Sequence, residues 1–223
     1  MTMEASSVTE EFVAGSENLY FLFSGFIGRM GLPVFEFVKS ARILRENKIF
    51  FRDVSQCWYQ CGLPGIGADV YEITDFIKKK VEELHPRNVY FVGNSMGGFA
   101  AILFGSLVGR GKVVAFSPQT FIRPSKLITS NDTRNRKQKI AACLKSLFRP
   151  HVHDLNKVLL YTTSQLRIEI YVSAENRIDW AHAQNIRGYE NVSIKPFSVR
   201  EHGLVKFLRH QNLLSDILKS ADA

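Results

Sequence analysis

Short apolar runs alternate along this chain with longer amphipathic stretches, and the alternation predicts its elements. Leu19–Phe23, Lys48–Phe51, Asn88–Val92, Lys112–Phe116, Ile168–Ser173 and Val192–Phe197 are rich in β-branched and aromatic residues and read as strands. Asp69 precedes a stretch ending at Leu84 in which Val70, Ile73, Phe76, Ile77 and Val81 recur on one face, which predicts a helix capped by Asp69. Helical patterns also cover Phe35–Glu46, Gly98 to about Gly109, Lys139–Phe148, Trp180–Ile186 and Leu204–Lys219. Strand and helix in turn predict an α/β fold, with a mostly parallel central sheet and helices on both faces.

Three segments fall outside that rhythm. Residues 1–18 are mostly small and polar and read as an N-terminal tail ahead of a single domain over 19–223. Val54–Gly67 is a long loop carrying Trp58, Tyr59, Pro64 and three glycines. The stretch from about 119 to 160 separates two consecutive strands and is too long for one crossover helix, so it reads as an insertion with the character of a small lid.

Composition narrows the class. Apolar content of 45% and charged content of 22% are ordinary for a globular protein. The most apolar stretch, Leu19–Val38, is interrupted by Gly25, Gly28, Arg29, Gly31 and Pro33, so no membrane span is expected there. The first residues have no basic run before an apolar one, so no secretory signal is expected. Three cysteines, Cys57, Cys61 and Cys143, make an odd, low count that suggests free thiols in a reducing cytoplasm. They lack the spacing of a zinc site, and no metal is expected. The net charge is +8, and Arg134, Arg136, Lys137, Lys139, Lys145 and Arg149 crowd one segment. That segment is either a solvated helix face or an attractor for an anionic substrate, a carrier protein or a membrane surface. No nucleic-acid motif accompanies the charge, so nucleic acid is not an expected partner.

One motif carries chemistry. Gly93-Asn94-Ser95-Met96-Gly97 lies directly between the run ending at Val92 and the small-residue stretch from Gly98 to Phe104. G-x-S-x-G between strand and helix is the pattern of a nucleophile elbow, a turn so tight that flanking side chains clash and the serine is held exposed in a strained conformation. The plain alternative is a glycine-rich turn in which Ser95 caps the following helix. A serine hydroxyl is a poor nucleophile at neutral pH. It needs an imidazole to take its proton and a carboxylate to orient that imidazole.

From Leu19 onward the order of elements resembles the α/β-hydrolase fold, with strand, glycine-rich loop Ser24–Gly28, elbow, insertion, acid loop, last strand and a closing histidine in family order. The resemblance implies Ser95 as nucleophile and His202, in the loop after the last strand, as general base. His85, His151, His153, His182 and His210 lie at the wrong edge, in the insertion, or within or near helices. The family commonly carries its aspartate where this chain has Asn176, in Ser173-Ala174-Glu175-Asn176. Asp179, three residues on, is the preferred acid, with Glu175, Asn176 or no acid as alternatives and a helix-capping role open for Asp179. The resemblance further implies an oxyanion hole from the Met96 and Phe26 N–H groups, with Gly25 the next choice. It implies a substrate site involving Gly25, Trp58, Tyr59 and Gln119, with Phe121, Leu127 and Phe148 either lining the insertion or buried against the domain. Trp58 and Tyr59 could equally pack their loop onto the core. The implied activity is cleavage of an ester or thioester in a small substrate, free or carrier-bound, through an acyl-enzyme, without a cofactor. The alternatives are acyl transfer by the same triad, or binding without turnover.

Overall fold

The computed structural model describes residues 6–26 and 35–219. Strand β2 (Asn18–Phe23) shows why the chain makes a central sheet. Leu19, Phe21 and Phe23 pack into one core, while Tyr20 and Leu22 pack into another on the opposite face. A strand buried on both faces reads as a continuous apolar run, as parallel strands do. Around it stand β3 (Asn47–Phe51), β4 (Asn88–Asn94), β5 (Gly111–Phe116), β6 (Leu166–Ser173) and β7 (Val192–Phe197), all parallel. With β1 (Val8–Glu11) the sheet has seven strands in the order β1-β3-β2-β4-β5-β6-β7. β1 is antiparallel to β3, Val8 facing Phe51, so the stretch read as a polar tail contributes an edge strand. Its residues are polar because an exposed edge strand has little to bury.

The helices α1 (Val70–Leu84) and α2 (Met96–Val108) cover one face of the sheet. Asp69 caps α1 by accepting from the N–H groups of Tyr71 and Glu72 at 2.8 and 3.1 Å. The other face is covered by α7 (Leu204–His210) and α8 (Leu213–Lys219). These replace the single closing helix expected from the pattern, because Asn212 adopts φ 58° between them. The helix expected over Phe35–Glu46 is only a 3-10 turn at Ser40–Ile43, and Phe37 at φ 67° interrupts the helical path before it.

The segment after β5 holds α3 (Pro124–Thr129), α4 (Arg136–Lys145) and α5 (Asn156–Leu159), and α6 (Arg177–Asn185) follows β6. Strand register aligns the carboxyl ends of the sheet. Phe23 pairs with Gly93, Asn94 with Phe116, Phe116 with Tyr171, and Ser173 with Phe197. The loops that leave these ends therefore meet along one edge, where open α/β sheets hold their sites.

Candidate active site

Ser95 sits at the turn from β4 into α2 with φ 55° and ψ −112°, a conformation that L-residues rarely adopt. Its side chain makes no capping bond, so it is not an ordinary helix cap. The flanking glycines are sterically required. A Cβ at Gly93 would lie 2.0 Å from the Gly97 carbonyl oxygen, and one at Gly97 would lie 2.1 Å from that of Phe23. The turn is braced by Ser95 N–H donating to Phe116 O at 2.9 Å and by Gln119 N–H donating to Ser95 O at 3.1 Å.

His202 reaches this serine from the loop between β7 and α7. Its Nε2 lies 2.9 Å from Ser95 Oγ, and its Nδ1 lies 2.8 and 3.0 Å from the two carboxylate oxygens of Asp179. The loop is tied down by Ser173 Oγ donating to Glu201 O and by Asn176 Nδ2 donating to Arg200 O. Asp179 is buried in the first turn of α6. Burial alone would raise its carboxyl, but the hydrogen bond and charge of His202 and the guanidinium of Arg134 outweigh it and hold it below the usual range.

The two other acid candidates are occupied elsewhere. Asn176 caps α6 by accepting from the N–H groups of Ile178 and Asp179 at 3.2 and 3.1 Å. That capping role accounts for asparagine at this position. Glu175 points outward and pairs with Arg200 at 3.1 Å.

The glycine-rich loop after β2 passes beside the elbow, close enough that a Cβ at Gly25 would lie 2.9 Å from Asn94 O. Gly25 donates its N–H to Glu36 Oε2 at 2.7 Å, which withdraws it as an oxyanion donor and leaves Phe26 as the candidate in that loop. Gly28 lies outside the described residues. Glu36 also accepts from Asn94 Nδ2 at 2.9 Å, and its own N–H donates to Ser24 Oγ at 2.9 Å. One carboxyl thus staples the loop to the elbow. Burial pushes it above its ordinary value, against the hydrogen bonds from Gly25 and Asn94. No sequence signal marks Glu36, because it falls in a run that reads as helix.

Trp58 and Tyr59 are fully buried. The Tyr59 hydroxyl donates to backbone oxygens of Ser24 and Phe51 at 3.1 and 3.3 Å, and its ring packs edge-on against Phe23 and Phe104. Tyr59 therefore fastens its loop to the core rather than walling a pocket. Trp58 lies beside Phe26, with ring centroids 6.2 Å apart, and donates its indole N–H to Gln119 Oε1 at 2.8 Å. Gln119 is thereby fixed beside the elbow. Phe121 and Leu127 are buried, whereas Phe148 is 99% exposed.

The basic segment is not uniformly a surface. Arg134 donates from Nη1 to Asp179 Oδ1 at 2.6 Å, and the same nitrogen lies 2.9 Å from His202 Nδ1. Its Nε donates to Asp132 Oδ1 at 3.1 Å. Lys139 is wholly buried and meets Asp132 Oδ2 at 2.5 Å, and His182 Nε2 lies 3.1 Å from that same oxygen. One signal was available in the sequence: between residues 119 and 160, nine Lys and Arg accompany only two acids, Asp132 and Asp154. Acids so few in so basic a stretch are natural internal counter-ions.

No family model matches the chain, and no curated protein matches it in sequence. Solved structures do match. The capsule O-acetyltransferase of Neisseria meningitidis serogroup A superposes with a TM-score of 0.67 at 14% identity, over 95% of this chain and 90% of that one. An esterase from Exiguobacterium antarcticum gives 0.58 at 15%, over 97% and 95%. This chain has the α/β-hydrolase fold. A third match, in the Glycosylation Associate Protein (Gap123) complex of Streptococcus agalactiae, gives 0.63 at 17% identity over 94% of this chain, which spans 43% of that one. Within the hydrolase fold, Ser95, His202 and Asp179 occupy the elbow, the loop after the last strand and the helix after the preceding strand.

Proposed function

We propose that this protein is a serine hydrolase that cleaves an ester or thioester through an acyl-enzyme. The observation that carries the reading is the chain of contacts from Ser95 Oγ to His202 Nε2 at 2.9 Å and from His202 Nδ1 to Asp179 at 2.8 Å. In the tautomer that donates Nδ1–H to Asp179, Nε2 is free to take the serine proton as Oγ attacks the acyl carbon. Negative charge then develops on the carbonyl oxygen. The Met96 and Phe26 N–H groups are the donors assigned to it, each worth roughly 3 kcal/mol in such sites. The imidazolium returns its proton to the departing alcohol or thiol, and water, activated by the same histidine, releases the acyl group.

A second reading has its own support. The O-acetyltransferase neighbour superposes over nearly its full length, and transfer differs from hydrolysis only in whether a hydroxyl acceptor replaces water. The test is a screen of p-nitrophenyl esters and acyl thioesters of graded chain length, with and without a sugar alcohol at high concentration. Hydrolysis predicts release of free acid unaffected by the alcohol. Transfer predicts a rate that rises with the alcohol and an acylated product. No turnover of any ester or thioester would return the protein to a binding role without catalysis.

A further inference from the structure

Helix α6 presents two residues three positions apart, Asp179 and His182, and the segment after β5 grips both. Arg134 Nη1 meets Asp179, Arg134 Nε meets Asp132, and Asp132 returns to α6 at His182 Nε2, with distances of 2.6, 3.1 and 3.1 Å. The contacts form a closed ring across one turn of helix, in which anion, cation, anion and imidazole follow one another. Lys139, fully buried, completes the charge balance on Asp132. A buried ammonium needs an ionised partner. Burial would raise the Asp132 carboxyl, but the hydrogen bonds from His182 and Lys139 and the neighbouring cations hold it far below the ordinary range.

This arrangement says what Arg134 does. Two of its nitrogens are held by carboxylates, Nη1 by Asp179 and Nε by Asp132, so the guanidinium is fixed beside the triad rather than extended into solvent. Its Nη1 and His202 Nδ1 both lie within hydrogen-bond reach of Asp179 Oδ1, 2.6 and 2.8 Å away. A carboxylate clamped from one side by a fixed guanidinium cannot rotate away from the imidazole, and small misplacements in such a triad are costly.

We propose that Arg134 is a positioning residue for Asp179, anchored by Asp132, so that the segment after β5 completes the triad from outside the strands that carry it. The inference rests on reading Ser95, His202 and Asp179 as a triad. Its test is a double-mutant cycle on the rate at which a fluorophosphonate labels the protein, with wild type, Arg134→Gln, Asp179→Asn and the double variant each checked for cooperative unfolding. Arg134→Gln should slow labelling roughly 10- to 100-fold, and in the Asp179→Asn background it should cost about 2-fold or less, because the group through which it acts is already neutral. Arg134→Lys, which keeps the charge but loses the fork, should recover part of the rate, and it serves in the same cycle should the glutamine variant not fold. An equal penalty in both backgrounds would mean that Arg134 acts on the fold or directly on His202 Nδ1, 2.9 Å from its Nη1, rather than through Asp179, and would overturn the proposal. Labelling of Arg134→Gln at the wild-type rate would overturn it too, while leaving the triad reading standing. A wild type that takes no label would instead remove the triad reading itself, and this inference with it.

Discussion

At the scale of single residues, three side chains of the acid loop differ in what each one touches. Asp179 faces the imidazole, Asn176 caps α6, and Glu175 pairs with an exposed arginine. Asp179→Asn should therefore lower kcat by about 10²- to 10⁴-fold, since an amide neither charges nor orients the imidazole as a carboxylate does. Glu175→Gln should leave steady-state kinetics within about 2-fold, as exposed ion pairs contribute little. Steady-state rates on an activated ester decide the matter, and the reverse ranking would place the acid elsewhere. Residues differ in how far a sequence discloses them. Ser95 was legible because the glycines that its turn requires stand within two positions of it. Glu36 and Arg134 were not, because their partners are distant in the chain: Arg134 meets Asp179 across 45 positions. Nothing local distinguishes an arginine destined for a buried carboxylate from its solvated neighbours.

At the scale of elements, periodicity disclosed the strands well, since each central strand is buried on both faces and its apolar run has no competing explanation. It disclosed helices less well where backbone conformation overrides pattern, as at Phe37 and Asn212 with their positive φ. Helix α6 illustrates a further limit. Its short pattern shows a helix but not that His182 lies within it as a fully buried imidazole, held neutral by burial that outweighs its bond to Asp132, with its pKa lowered to about 4. His153, behind α4, is likewise lowered to about 4, mainly by burial. A histidine whose folded pKa lies below its unfolded value leaves the unfolded chain binding more protons between the two. Stability is therefore full above about pH 6.5 and falls as pH drops toward 4, by up to about 3 kcal/mol for a group like His182. Urea midpoints should decline from pH 7 to pH 5, and His153→Gln should flatten part of that decline. Glu36, whose carboxyl burial raises, acts in the opposite sense, so the comparison of variants decides: a pH dependence identical in wild type and His153→Gln would contradict the burial assigned to His153.

At the scale of the whole molecule, most of the net positive charge comes from one segment, residues 119–160. Between residues 119 and 160, both acids are buried and internally paired, Asp132 with Lys139 and Asp154 with Lys126. Arg136, Lys137 and Lys145 remain exposed. They, and not Arg134 or Lys139, are the residues to neutralise when asking whether this segment steers an anionic substrate. The triple change to glutamine should leave kcat on a small neutral ester unchanged and raise KM for an anionic acyl thioester at low salt. The difference should shrink as the screening length falls to about 10 Å at 0.1 M ionic strength. Equal kinetics for the two substrates at low salt would make these charges a solvated face. The fold itself places all these parts: aligned strand ends bring the elbow, the glycine-rich loop, α6 and the His202 loop to one edge of the sheet.

Whether Ser95 is an activated nucleophile is read from the intact mass of the protein after treatment with a fluorophosphonate. A single phosphonyl adduct is expected, mapping to the peptide that contains Ser95 and absent in Ser95→Ala while that variant still unfolds cooperatively. Label that persists in the alanine variant, or a folded wild type that takes none, would contradict it.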